Sequence, residues 1–136
     1  SFLGSTPEHW RELVLTNVYG AALTIRAVLP ALTESRGHLL LTGSVAGRRP
    51  IVGSLYSATK HAVHAMGESL RQEVDGTGVR VTVIAPGIVD TPFFDAVPLE
   101  SPLVPGDIAR AVVYALSQPP HVDVNEILVR PTAQPL

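Results

Sequence analysis

Tyr56 and Lys60 stand four residues apart, so on a helix their side chains share one face. A phenol beside an ammonium is a pairing suited to proton transfer. Alone, a tyrosine ionises far above neutral pH and is a poor acid or base there. An ammonium about 4 Å away, at an effective dielectric of ~20, contributes about 4 kcal/mol, enough to bring the phenol into working range. Arginine is also positive, but its broad fork places and hydrates the charge differently, whereas a compact ammonium can also bond a ribose hydroxyl. The composition sharpens the point, because the ten basic residues are nine arginines and one lysine, Lys60. With three tyrosines and a single lysine in 136 residues, the pattern arises by chance at odds of about three in 136. The bland alternative, an exposed helix pair, is therefore the weaker reading.

Three further segments could supply company. Ser44 follows the apolar run His38-Leu39-Leu40-Leu41-Thr42-Gly43, read as a short buried strand, and precedes a glycine-containing loop. That places it at the carboxyl end of a strand, where open α/β sheets bind ligands, and its hydroxyl could donate to a substrate carbonyl beside Tyr56. Asn17 interrupts the apolar stripe of the first helix, and a buried amide needs partners. An inter-helix hydrogen bond is its plain role; the sharper one is to open the helix around a water that feeds protons to Lys60. Pro86-Gly87-Ile88-Val89-Asp90-Thr91 closes a second strand, turns backbone groups toward the same cleft and adds the Thr91 hydroxyl.

The elements that must position these residues follow from periodicity. Ser5-Thr6-Pro7-Glu8 starts a helix, and Trp10, Leu13, Val14, Val18, Ala21 and Ile25 recur at helical spacing to about residue 33, with Pro30 loosening the last turns. A second helix is expected over 55–75, with Ala58, Ala62, Met66, Leu70 and Val74 inward, and Asp75-Gly76-Thr77-Gly78 stops it. Val79 to Ala85 reads as a strand, 88–105 as a proline-rich apolar segment, 106–117 as a third helix and 126–130 as a last strand. Alternation of helix and strand implies parallel strands joined by right-handed crossovers, an α/β class. Three parallel strands alone make a poor sheet, because such sheets need both faces and edges protected.

Bulk properties exclude several classes. Hydrophobic residues make up 46% and charged ones 16%, so a core is available and disorder is not expected. A net charge of −2 gives no reason to expect nucleic acid or an anionic membrane as partner. No apolar run approaches the roughly 20 residues a membrane span needs. Without cysteine there are no disulfides or thiolate metal sites, which fits a cytoplasmic protein.

Taken together, Asn17, Thr42-Gly43-Ser44-Val45-Ala46-Gly47, Tyr56-Ser57-Ala58-Thr59-Lys60 and Pro86-Gly87-Ile88-Val89-Asp90-Thr91 resemble the short-chain dehydrogenase/reductase family, in order and over essentially the whole chain. The resemblance implies a partial Rossmann-type, doubly wound parallel sheet, with residues 1–136 as one partial domain. It implies an NAD- or NADP-dependent interconversion of a secondary alcohol and a carbonyl, with NADP slightly favoured. Tyr56 would be the acid/base, Lys60 would lower its pKa and bind the nicotinamide ribose, Ser44 would polarise the carbonyl and Asn17 would hold the relay water. Pro86, Gly87, Ile88 and Thr91 would meet the cofactor, Ile88 through its backbone. A homodimer or homotetramer packed through the helices at 7–33 and 55–75 is also implied. Asp123 to Thr132 is similar to the end of a branch that acts on small hydroxy acids.

The departures matter as well. The family's opening Thr-Gly-x-x-x-Gly-x-Gly turn and its Asn-Asn-Ala-Gly strand end are not found. Thr42-Gly43-x-x-x-Gly47 imitates the former, but Arg49 stands where the third glycine would be and Pro50 blocks the following helix start. A fragment carrying the catalytic half, inactive alone, is the expectation. Two other functions compete. Ser44, Asp90 or Asp95, and His121 occur in the order of a serine hydrolase, although Thr42 and Ala46 replace the glycines of its nucleophile turn. A non-catalytic remnant or association module is the other. His61 and His64 read as a solvated helix face, Arg48 and Arg49 as loop charges able to meet a substrate carboxylate. Phe93, Phe94, Val97, Leu99, Leu103 and Val104 read as a possible apolar lid.

Overall fold

The computed structural model describes residues 1–134. Thr6 opens the first helix by accepting the His9 N–H at 3.2 Å, with Pro7 at the first helical position. The helix runs as α1 (Pro7–Val14), a wide π-helical turn (Leu15–Gly20) and α2 (Ala21–Ser35). Pro30 lies inside α2 without ending it. Gly37 N–H then bonds the Leu32 carbonyl at 2.8 Å, and Arg36 takes the left-handed conformation at φ 52° that closes the helix. The strands are β1 (His38–Thr42), β2 (Arg80–Pro86) and β3 (Glu126–Val129); between them lie α3 (Leu55–Glu73) and α4 (Pro105–Leu116).

All pairings are parallel, in the order β1-β2-β3. Leu40 lies opposite Thr82, Thr42 opposite Ile84, and Pro86 opposite Val129. The central strand is the buried one, with Val81, Thr82, Val83, Ile84 and Ala85 all inside. β1 was expected to be a buried strand, yet only Leu41 is fully covered there. It is an edge, paired on one side alone, and so is β3. On the α3 side, Leu70 and Val74 pack on Val79 and Val81, and Leu41 and Val63 on Val83. Ile25, Leu29 and Leu32 of α2 lean on the first of these clusters.

The inward face of α3 departs from the expected stripe. Ser57, Thr59, Val63, His64, Gly67 and Leu70 are buried, whereas Ala58 is exposed and Ala62 and Met66 only half-covered. A strict i+4 row advances about 40° per step around a helix, so it drifts off any one face. The sheet-facing positions 63, 67, 70 and 74 alternate steps of four and three, which holds the phase. The first helix also bears on the membrane expectation. Over Pro7–Ser35 it is 29 residues and, by length and composition, apolar enough to span a bilayer. The sequence reading missed this because Asn17, Thr24 and Arg26 break the apolar run; packing of Ile25, Leu29 and Leu32 on the core gives the apolar face a role within the fold.

Replacing Leu70 by alanine is expected to lower the unfolding free energy by about 3 kcal/mol, whereas Ala58→Gln should change it by less than about 0.5 kcal/mol. Denaturant midpoints of the two variants check the phase of α3.

Candidate active site

The carboxyl ends of β1 and β2 open into a cavity of about 620 Å³. Ser44, Tyr56, Lys60, Pro86, Gly87, Ile88 and Thr91 all line it, with Thr42, Arg49, Phe93, Phe94 and Gln134 among the other walls. Seven of the eight residues proposed from sequence are thereby brought together, as expected if strand ends and one helix face converge. Asn17 is the exception. It does not line the cavity; its Nδ2 donates to Thr59 Oγ1 at 3.1 Å, and Thr59 in turn donates to the Tyr56 carbonyl at 2.8 Å. The inter-helix bond is therefore its observed role. The helix does open around it, however, because the π-helical turn is centred on Asn17.

Each side chain is held by a local cause. Ser54 caps α3 by accepting the Ser57 N–H at 3.3 Å, which starts the helix at Leu55, one residue before Tyr56. The buried Ser57 hydroxyl donates to Ala46 O at 2.5 Å and accepts the Ile51 N–H at 3.2 Å, pinning the loop between β1 and α3. Ser44 caps a short 3-10 turn, Val45–Gly47, by accepting the Ala46 N–H at 3.1 Å, and its hydroxyl lies 3.5 Å from the Pro86 carbonyl oxygen. The strand ends of β1 and β2 are thus tied at the serine itself.

The Tyr56–Lys60 pair is positioned differently from the simple Coulomb picture. Lys60 Nζ donates to the Thr42 carbonyl at 2.9 Å and lies 5.6 Å from the centre of the Tyr56 ring. Burial pushes the phenol above its ordinary value, and the hydrogen bond from the neighbouring Ser44 offsets part of that rise. Burial pushes the Lys60 ammonium down. The lowering of Tyr56 expected from Lys60 is not seen, because the ammonium is turned to the end of β1 rather than held against the phenol oxygen. Phe93 packs on Tyr56 with ring centres 5.6 Å apart, and Phe94 on Phe93 at 5.0 Å. These two form the apolar wall; Val97, Leu99, Leu103 and Val104 do not line the cavity.

Two residues with consequences for the site were not assigned to it from sequence. Gln134 Oε1 accepts the Ile88 N–H at 2.9 Å, so the Ile88 backbone group expected to meet a cofactor has a partner within the chain. A Cβ on Gly87 would fall 2.2 Å from that oxygen, which is why glycine stands there. No local pattern marks Gln134. His64, expected on a solvated face, is 5% exposed and packs beneath the Ser44 turn. A Cβ on Gly43 would lie 2.3 Å from its Nε2 and one on Gly47 2.5 Å from its Cδ2. The glycines of Thr42-Gly43-x-x-x-Gly47 therefore admit an imidazole, and the segment continues into a 3-10 turn rather than a helix. The hydrolase alternative loses its triad: Asp90, Asp95 and His121 do not line the cavity, and the histidine nearest Ser44 bonds its backbone.

Comparison with known proteins agrees with this architecture. The short chain dehydrogenase family matches residues 1–101. An uncharacterised oxidoreductase from Staphylococcus saprophyticus is 46% identical over 128 residues, covering 91% of this chain and 55% of its own length. The crystal structure of serine dehydrogenase from Escherichia coli superposes with a TM-score of 0.87 at 35% identity, over 98% of this chain and 58% of that one. The closed form of serine dehydrogenase complexed with NADP+ gives 0.91 at 33% identity, over 98% and 60%. The chain belongs to the short-chain dehydrogenase family and spans about half the length of the curated relatives it matches.

Burial lowers the pKa of both His38 and His64, so the folded chain binds fewer protons than the unfolded one in their titration range. Their contribution to stability is complete above the usual histidine range and is lost as pH falls through it. Denaturant midpoints near about pH 8 and about pH 5 should show the decline, and His64→Gln should reduce it.

Proposed function

We propose that this chain carries the proton-transfer half of an NAD(P)-dependent oxidoreductase that interconverts secondary alcohols and carbonyls. The observation that carries the proposal is the convergence of Ser44, Tyr56 and Lys60 on one cavity whose remaining wall is largely apolar. A nicotinamide cofactor would supply or accept the hydride. The residues fit its nicotinamide–ribose end: Lys60 offers an ammonium at the cavity floor, and Thr91 and the Pro86–Gly87 turn form the adjoining wall. They do not fit its phosphates, since the Gly43–Gly47 turn is filled from below by His64 and leads into no helix. The described residues thus offer no phosphate cradle at this turn.

In this reading Ser44 donates a hydrogen bond to the substrate oxygen, and Tyr56 gives or takes its proton. The raised phenol favours the protonated form in the absence of ligand, a state ready to donate during carbonyl reduction. Lys60 can leave the Thr42 carbonyl for a ribose hydroxyl and bring its charge nearer the phenol. Phe93 and Phe94 border the reacting face with apolar surface, although Phe93 is 68% exposed. Asn17 acts through Thr59 on the backbone at Tyr56.

The substrate class follows from charge. Arg48 is paired with Glu126, Arg71 with Glu68 and Arg110 with Asp107, whereas Arg49 makes no ion pair among the described residues. It lines the cavity, and among the described residues the only other charged lining residue is Lys60. A substrate carrying a carboxylate, such as a small hydroxy acid, suits that lining, in keeping with the serine dehydrogenase likeness. We further place the two-fold of a cytoplasmic homodimer or homotetramer on the helices at 7–33 and 55–75, where Val14, Leu15, Tyr19 and Leu23 of the first are exposed.

In the natural protein containing these residues, Tyr56→Phe should nearly abolish nicotinamide-linked turnover while circular dichroism is unchanged; ordinary turnover would sink the assignment. Arg49→Gln should raise KM for hydroxy acids about 10- to 100-fold and leave neutral alcohols unaffected, the scale of one charge-assisted hydrogen bond. Sedimentation velocity should show Leu23→Glu shifting the assembly toward monomer.

A further inference from the structure

His64 has no task in the chemistry above, yet it is among the most enclosed polar groups of the fold. Its Nε2 lies 3.3 Å from the Ser44 backbone nitrogen and 3.2 Å from the Ser44 carbonyl oxygen. On the far side of the ring, Nδ1 lies 3.8 Å from Glu126 Oε1 and has no hydrogen-bond partner. Glu126, at the start of β3, is itself gripped by Arg48, whose Nε lies 2.9 Å from both carboxylate oxygens. The remaining titratable neighbour is His61 on α3; Glu68, one turn further, is engaged by Arg71 and Gln72.

A neutral imidazole carries one N–H and one lone pair. If the proton sat on Nε2, the Ser44 N–H would face another donor, and the Nδ1 lone pair would face a carboxylate. With the proton on Nδ1, Nδ1–H points toward the negative Glu126 and Nε2 accepts the Ser44 N–H; the one remaining opposition, the Nε2 lone pair 3.2 Å from the neutral Ser44 carbonyl oxygen, is weaker than a lone pair set against a full carboxylate charge. We infer that His64 is a positioning residue, held as the Nδ1–H tautomer by the Arg48–Glu126 ion pair, which anchors the Ser44 backbone and so sets the height of the Ser44 hydroxyl beside Tyr56. Burial favours the neutral ring that this role requires. Gly43 and Gly47 supply the room the ring needs. Ser44 is a residue of the proposed oxidoreductase site, so the inference rests on that reading.

The geometry links three segments far apart in sequence: the turn after β1, the middle of α3 and the first residue of β3. Protonation would give Nε2 a hydrogen, reverse the bond at Ser44 from its amide to its carbonyl, and leave the amide without an acceptor. Loss of the acceptor should therefore act on the chemical step rather than on cofactor affinity.

Two measurements on the natural protein containing these residues decide it. Long-range ¹H–¹⁵N spectra of the imidazole should show the Nδ1–H tautomer of His64 near neutral pH, and Glu126→Gln should erode it. In kinetics, His64→Leu should lower kcat about 10- to 100-fold, the range covered by one stranded buried amide, with the dinucleotide KM within about twofold. His64→Gln, which can place an acceptor near the Nε2 position, should recover most of the loss. An Nε2–H tautomer in the wild type, or a His64→Leu enzyme with unchanged kcat, overturns the inference while leaving the oxidoreductase reading intact. Equal losses in His64→Leu and His64→Gln would also overturn it, reducing His64 to packing. Absence of nicotinamide-linked turnover in the wild type overturns the oxidoreductase reading itself, and this role with it.

Discussion

The approach of α3 to the end of β1 is the contact on which the rest depends. Gly43 and Gly47 present bare backbone to the helix, and the His64 ring occupies the space their side chains would have taken. At that separation Lys60 reaches the Thr42 carbonyl, and the Ser57 hydroxyl reaches Ala46. A bulkier turn would push the helix away and break both bonds together. The chemistry is therefore governed by a packing distance. Tyr56 and Ser44 are neighbours because a helix and a strand end can touch there, and both partners are rigid elements rather than loops.

A second constraint joins the strands. β2 is buried along its length, so it fixes the register of β1 and β3 against it. Its exit through Pro86 and Gly87 sends the following backbone across the cavity, and Gln134 binds Ile88 from the far side. Ser44 and Pro86 are drawn to the same point by opposite walls. The result is a site with its acid/base groups on a helix and its apolar cover on an irregular segment carrying Phe93 and Phe94.

How much of this could be read from sequence depended on the range of the interaction responsible. Tyr56 and Lys60 were legible because helical spacing alone relates them. Ser44, Gly87 and Thr91 were legible because strand ends in α/β proteins converge. The element order was legible from periodicity, and the parallel sheet from the alternation of helix and strand. The phase of α3 was misjudged because five positions at strict i+4 spacing looked like a stripe although they wind around the helix. His64 was misread since nothing local reveals that two glycines about twenty residues before it leave a pocket its own size. Gln134 carried no pattern at all; its role exists only once the chain returns to Ile88. The Lys60–Tyr56 electrostatics were overestimated because spacing along a helix fixes where side chains begin, not where a flexible ammonium ends.

The two edges of the sheet carry a consequence of their own. β1 and β3 each pair on one side only, and a parallel edge exposes a row of amides and carbonyls at a spacing any extended segment can match. Nothing in such a ladder distinguishes the next native strand from a stray one of another chain. For these residues, assembly is then a race between partners: the first strand to dock on an edge closes it to the others. With such edges exposed, concentration bears on whether these residues stay unassociated as much as the strength of the core does.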